Sequence, residues 1–179
     1  MHYNTIRIET PRLVLRPFVI SDTDNWFAMM RDPQVMRYWS HPAWQERRQA
    51  SESITDSIAA LETQEYLQLA IARKSDDSCI GMCILFHHHQ ASQRGEIGYC
   101  LASEAQGQGY MVEALNHFVP FLRDSLALRR LEADIHPQNQ GSARVLQSMG
   151  FEQEGLLKER WCVGGEISDS ALFGLLLNK

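Results

Sequence analysis

The sequence contains no run approaching the ~20 consecutive apolar residues that a membrane-spanning helix needs. Its opening stretch, Met1 to Thr10, lacks the apolar centre of a secretory leader, with Arg7, Glu9 and Arg12 in or beside it. Together these absences predict a cytoplasmic protein. Cysteine is scarce: Cys79, Cys83, Cys100 and Cys162 are the four among 179 residues, and none forms a Cys-x-x-Cys pair. A chain of this length needs no disulfide staple, so they read as reduced, mostly buried thiols. Basic residues are outnumbered, 17 against 22 acidic, for a net charge of −5. That balance argues against a nucleic-acid binder, which shows a basic face. Internal repeats, low-complexity tracts and a Pro/Gly/Ser-rich linker are all missing, which predicts one domain over residues 1–179. Two nucleotide signatures are missing too. There is no Gly-x-x-x-x-Gly-Lys, and no Gly-x-Gly-x-x-Gly follows a first strand.

What is present is an ordinary globular composition, 44% hydrophobic and 22% charged, with clear periodicities. Leu13 to Phe18 reads as a strand limited by Pro17. Ser21 suits a helix cap, with Asp24 in the first turn and Pro33 as the stop. A second helix is expected from about Pro42, carrying Ala50, Ile54, Ile58 and Leu61 on one face. Leu67 to Ile71, Cys79 to Phe86 and Gln93 to Leu101 read as three strands, with Asp76-Asp77 as a turn. On the third, Ile97, Tyr99 and Leu101 share one face, and Glu96, Gly98 and Cys100 the other. A helix bearing Val112, Leu115, Val119, Leu122 and Leu126 follows; Pro120 should bend or shorten it. Next come a strand over Leu131 to Ile135 and a helix from about Gly141 to Met149, ended by Gly150. Phe151 to Trp161 and Ala171 to Leu177 close the chain as a strand pair around Gly164-Gly165. The order β-α-α-β-β-β-α-β-α-β-β predicts an α+β (mixed α/β) fold, in which hairpins surround one strand–helix–strand crossover.

The informative segment joins a strand to a helix: Gln106-Gly107-Gln108-Gly109-Tyr110-Met111. Two glycines permit positive φ, and the helix behind them offers unpaired N–H groups at its positive end. Such a junction can cradle phosphate or pyrophosphate; it can also be merely a capped turn. Here the sequence resembles the GNAT superfamily of acyl-CoA-dependent N-acyltransferases, and more narrowly its ribosomal-protein N-terminal acetyltransferase branch. The family signature Gln/Arg-x-x-Gly-x-Gly/Ala matches Gln106 to Met111, with Met111 departing at the last position. Further matches are Thr10-Pro11-Arg12-Leu13-Val14-Leu15-Arg16, Glu96-Ile97-Gly98-Tyr99, Glu113-Ala114-Leu115, Asn139-Gln140-Gly141-Ser142-Ala143, Met149-Gly150-Phe151-Glu152 and Glu154-Gly155. They run in order along nearly the whole chain, which is far more specific than any one motif.

The resemblance implies a twisted, mostly antiparallel sheet of about seven strands with helices on both faces. It implies acetyl-CoA as cosubstrate and no metal. The pantetheine arm would lie against the strand near Cys100 and Leu101, and the amides of Gln106, Gly107, Gln108, Gly109, Tyr110 and Met111 would hold the pyrophosphate. Asn139 and Ser142, one helical turn apart, would reach the pantetheine and the sulfur; Asn139 also suits a plain helix cap. Many relatives protonate the leaving thiolate with a tyrosine at the position of Leu146. That acid is missing, and Ser142 matches the serine used by the ribosomal-protein branch. Glu96 is the first candidate for the base and Glu159 the second. An α-amine, with a pKa of about 7.7–8.0, is roughly one-tenth neutral at pH 7; a lysine amine at ~10.4 is neutral about once in 2,500 molecules. A protein N-terminus therefore needs less help from a base. Three readings stay open: N-terminal acetylation of a protein such as a ribosomal one, acetylation of a polyamine, amino acid or antibiotic, and acyl-CoA binding without turnover. The branch often forms dimers, so the resemblance includes a homodimer.

Other features have ordinary explanations. His87-His88-His89 lacks an acidic or cysteine partner at ligand spacing and reads as a solvated hairpin. Trp26, Trp39, Trp44 and Trp161 suit core or groove wall, with Trp39 and Trp44 near the expected acceptor side. Asp169 suits turn chemistry.

Overall fold

Buried apolar strands dictate the centre of the molecule. Leu67–Arg73 (β3) and Cys79–His89 (β4) put Leu67, Leu69, Ile71, Cys83 and Leu85 on one face at 0–1% exposure and Ala70, Ala72 and Met82 on the other at 0–3%, so both faces of the sheet are covered there. The computed structural model describes residues 2–177. The other strands are Ile8–Glu9 (β1), Leu13–Arg16 (β2), Arg94–Leu101 (β5), Arg130–Ile135 (β6), Glu152–Val163 (β7) and Glu166–Leu176 (β8). They form one eight-stranded sheet in the order β1-β2-β3-β4-β5-β6-β8-β7. Every neighbouring pair is antiparallel except β5 with β6. The expected α+β architecture is therefore present. The eighth strand is the two-residue β1, too short to leave an alternation in the sequence.

Helices cover both faces. Thr23–Met30 (α1), Pro33–Met36 (α2) and Arg47–Thr63 (α3) precede the central strands; Tyr110–Leu126 (α4) and Gln140–Ser148 (α5) flank β6. Adjacent residues of a strand point to opposite faces. Cys100 meets Met29 of α1, sulfur to sulfur at 3.6 Å, while Tyr99 meets Ser142 of α5. So α1 lies on one side of the sheet and α5 on the other. Leu115, Val119 and Leu122 of α4 are buried, as the helical spacing predicted, and so is Phe118, which that spacing left out; Val112 and Leu126 are half-buried. Each of the buried side chains contributes about 1.5–3 kcal/mol by leaving water.

Several boundaries differ from the sequence reading, each for a local reason. Ser21 caps nothing; a 3₁₀ turn over Ile20–Asp22 precedes α1, and the Asp22 carboxylate accepts from the Val19 N–H and from Arg16. Helix α1 ends at Met30, three residues before Pro33, as a stop there predicts; Pro33 also starts α2, whose cap is the extended Asp32 accepting from the Gln34 N–H at 2.8 Å. Helix α3 begins at Arg47 and not near Pro42, because Gln49 Oε1 accepts from the N–H groups of Gln45 and Glu46. Pro120 sits inside α4 without ending it. The last hairpin is longer than expected and turns through Gly164-Gly165 at φ 59° and 88°. All four cysteines are free thiols, three of them buried and Cys162 exposed.

Candidate active site

The single parallel pair fails to stay paired. β5 and β6 are in register at Arg94↔Arg130, Gly95↔Leu131 and Glu96↔Glu132, and there the pairing ends. β5 continues to Leu101 against β4, and β6 continues to Ile135 against β8. The two strands therefore diverge past Glu96, leaving the β6-facing backbone edge of residues 97–101 without a strand partner. A groove of about 1300 Å³ opens along this gap. Glu96, Cys100, Leu101, Gln106, Gly107, Gly109, Tyr110, Met111, Asn139 and Ser142 all line it, whereas Gln108 and Glu159 do not.

One end of the groove is the glycine loop. Gly107 and Gly109 have φ of 73° and 78°, which L side chains rarely adopt. A Cβ on Gly107 would meet no protein atom within 4 Å, and one on Gly109 only Arg12 Nη2 at 3.6 Å. Conformation, and not protein packing, demands glycine here. Gly109 is the N-cap of α4, and no side chain caps that helix, so its first-turn amides keep their positive end for a ligand. Met111 departs from the small residue of the signature, but it is buried at 7% exposure, its bulk taken up by the core. Gln106 turns back to donate to the Leu101 carbonyl at 3.1 Å, tying loop to strand. The Gln108 amide donates to the Glu104 carbonyl at 2.7 Å.

The N-terminal motif braces this loop. Glu113, in the first turn of α4, accepts from Thr10 Oγ1 (2.5 Å), the Arg12 N–H (2.8 Å) and Arg12 Nε (2.6 Å). Arg12 also donates to the Gln108 carbonyl at 3.1 Å and lies 4.3 Å from the centroid of the Tyr110 ring. Partial burial pushes the Glu113 carboxyl up, but the hydrogen bonds from Thr10 and Arg12 outweigh it and hold the group below its ordinary value. Four residues later the same motif supplies Arg16, which grips the buried Asp22 in two bonds of 2.7 and 3.0 Å.

Ser142 sits across the groove in the first turn of α5. Asn139 caps that helix, its Oδ1 accepting from the Ser142 N–H at 3.1 Å. The Tyr99 hydroxyl shares a hydrogen bond of 2.8 Å with Ser142 Oγ and lies 3.3 Å from the Ser142 carbonyl. Burial pushes the Tyr99 phenol well above its ordinary value, so it stays protonated. If the phenol donates to Oγ, the Ser142 proton is free to point into the groove. Leu146 is fully buried and offers no proton. Nothing in the sequence alone tied Tyr99 to Ser142, because the contact joins residues 43 apart.

Glu96 occupies the last paired position before the strands part, 19% exposed, with His87 Nδ1 at 3.1 Å from its Oε2. Glu159 lies elsewhere, exposed on an irregular stretch of β7. There Asp169 accepts from the Glu159 N–H and the Lys158 ammonium, both at 3.0 Å, so Asp169 serves local chain geometry. Aromatic rings wall the α1 side. Trp26 and Trp44 meet edge to face at 5.9 Å, His41 stacks on Trp44 at 6.1 Å, and Tyr38 meets His136 at 4.9 Å. Trp39 and Trp161 line the groove as well. Among the described residues, no three His, Cys, Asp or Glu side chains are grouped to hold a metal ion. No helix of those residues is long and apolar enough to cross a membrane.

Known proteins share this arrangement. An acetyltransferase (GNAT) domain model matches residues 12–152. An uncharacterized N-acetyltransferase, p20 of Bacillus licheniformis, is 33% identical over 168 residues, covering 93% of this chain and 94% of that protein. The ribosomal protein uS5-alanine N-acetyltransferase of Escherichia coli is 32% identical over 79 residues, 44% of this chain and 41% of that one. The structure of Mycobacterium smegmatis RimJ in complex with CoA-disulfide superimposes with a TM-score of 0.82 at 23% identity, covering 96% of this chain and 86% of that one. The family match spans most of the chain, including the parted strands and the glycine loop, and the chain belongs to the GNAT family of acetyltransferases.

Proposed function

We propose that this acetyltransferase moves the acetyl group of acetyl-CoA directly to a primary amine, the α-amine of a protein N-terminus. The observation that carries the reading is the end of β5–β6 pairing at Glu96↔Glu132, which frees the edge of residues 97–101 and leads along it to a loop of two positive-φ glycines and an uncapped helix. The parted strands suit an extended amide-bearing chain, which can pair with the free edge of residues 97–101. The loop amides suit a pyrophosphate. The structure of M. smegmatis RimJ, which shares the fold, is of a complex with CoA-disulfide. Acetyl-CoA supplies an activated thioester; the protein's own groups do the rest. Gln106, Gly107, Gly109, Tyr110 and Met111 hold the phosphates. Cys100 and Leu101 present backbone to the arm. Asn139 fixes α5 so that Ser142, backed by Tyr99, aims a proton at the departing sulfur. Glu96 takes the proton the amine loses, directly or through one water.

The acceptor assignment is supported by the E. coli relative, an alanine N-acetyltransferase of a ribosomal protein, over 44% of the chain. The net charge of −5 suits a cationic acceptor or a basic protein. The test is CoA thiol release with a panel of peptides bearing free N-termini, lysine side chains, polyamines, amino acids and aminoglycosides. Free peptide N-termini are expected to give the highest kcat/KM. A small amine that outcompetes every peptide would replace the acceptor assignment. CoA binding with no turnover on any amine would leave a binding domain.

A further inference from the structure

The histidine run was the one motif left without a role. Near it the β4–β5 register jumps from Phe86↔Glu96 to His89↔Arg94, so β4 spends one residue more than β5. This is a β-bulge, a feature enriched next to active sites, where it re-aims a side chain. His87 takes the left-handed position in it, with φ at 49°. Glycine suits that position without steric cost. The other described non-glycine residues of positive φ are Gln64, Asp77, Gln93 and Ala127, at helix ends and turns, and Glu159, beside Asp169 in β7. What His87 gains from its conformation is contact with Glu96: an unbulged strand would send it to the face opposite Phe86, away from Glu96. Both residues line the groove at the point where the sheet opens.

We infer that His87 is a positioning residue that acts through Glu96, donating from Nδ1 to its carboxylate and holding it toward the acceptor amine. This rests on the reading of the groove as the site of acetyl transfer. As the amine nitrogen bonds to the acetyl carbon, the carbon–sulfur bond breaks and the thiolate takes a proton from Ser142, which regains one from water in the groove. The proton lost by the amine goes to Glu96 and from it to water in the groove, while His87 Nδ1–H donates to the carboxylate and holds it in place. The titratable and charged groups around the pair are His88 and His89 on β4 and Arg94 on β5. Arg130 and Glu132 stand on β6, with Glu132 bound by both Arg94 and Arg130, and Glu65 and Tyr66 precede β3.

The test compares wild type, His87→Gly, His87→Gln and, as a control, His88→Ala, all on whichever amine releases CoA fastest. We expect kcat to fall about tenfold in both His87 variants, with KM for acetyl-CoA unchanged and His88→Ala at the wild-type rate. This is a part of the 10²–10⁴-fold that a complete general base provides. The pH–rate profile should change shape in His87→Gly, because the carboxylate loses its hydrogen bond. Added imidazole should restore much of that variant's rate. Full activity in His87→Gly, or a loss that imidazole does not rescue and that leaves the pH profile unchanged, overturns the inference. One readout needs no turnover. Ring-nitrogen NMR should show the His87 Nδ1 hydrogen bond in wild type and lose it in Glu96→Ala. Identical spectra in the two overturn the pairing even where the acceptor assignment also fails, and a small-molecule acceptor with an intact His87 effect overturns only the latter.

Discussion

At the scale of the residue, stability and chemistry pull in different directions at His87. A non-glycine residue in the left-handed region costs on the order of 1–2 kcal/mol. His87→Gly relieves that cost but adds backbone freedom to the unfolded chain, about 0.4–1 kcal/mol the other way. The expected melting temperature is therefore equal to or slightly above that of wild type, measured by calorimetry; a marked drop would mean that the imidazole holds the fold. Ser142 should behave oppositely to a structural residue. Ser142→Ala is expected to lower kcat by roughly ten- to a hundredfold. CoA affinity by titration calorimetry should change less than twofold, and unchanged turnover would remove Ser142 from proton delivery. Ser142 was legible because its helix carries a motif; its partner Tyr99 was not, since strand alternation gives a face but no neighbour. His87 was illegible for a stronger reason: histidine is commoner than most residues at positive φ, but three stand in a row and nothing in the sequence says which one takes it.

At the scale of the element, the loop and helix α4 work as one piece. Thr10 and Arg12 hold Glu113, and Arg12 reaches on to Gln108 and Tyr110. Gly109→Val places a β-branched residue at φ 78° and should abolish measurable CoA binding while the far-UV spectrum stays native. Retained affinity would move the phosphates elsewhere. Glu113 gives a pH-dependent check. Its folded carboxyl titrates below its unfolded value, so its contribution is complete above the ordinary carboxylate range and fades as pH falls through the folded value. Glu113→Gln should accordingly lower the melting temperature at pH 7 and leave it nearly unchanged near pH 2. The glycine loop was readable from sequence because positive φ restricts residue choice. The bracing role of Thr10 and Arg12 was not, since it depends on contacts about 100 residues apart. The start of β8 was underestimated because Glu166, Ser168, Asp169 and Ser170 break the apolar pattern there.

At the scale of the whole molecule, burial sorts the cysteines. It pushes the Cys79 thiol up to about 12 and those of Cys83 and Cys100 higher still, while Cys162 is exposed. Thiolates react, and thiols do not. Native protein should therefore show one fast-reacting thiol with a disulfide reagent and four after denaturation; a second fast native thiol would mean that the sheet opens. The overall architecture was legible because covered strands and amphipathic helices leave distinct periods in the sequence. The parting of β5 from β6 was not, for an unpaired strand edge carries the same side chains as a paired one.

That parting has a mechanical consequence. The first five strands and the last three are each stitched by antiparallel ladders, but the two sets meet across only three registered pairs. The molecule is thus two rigid plates sharing a short seam. A ligand wedged there, bonding to one plate along its length and touching the other through α5, would act as mortar. Its binding energy then shows up as cohesion: amide exchange along β5 and β6 should slow together when CoA is added, as neither strand can swing without the other.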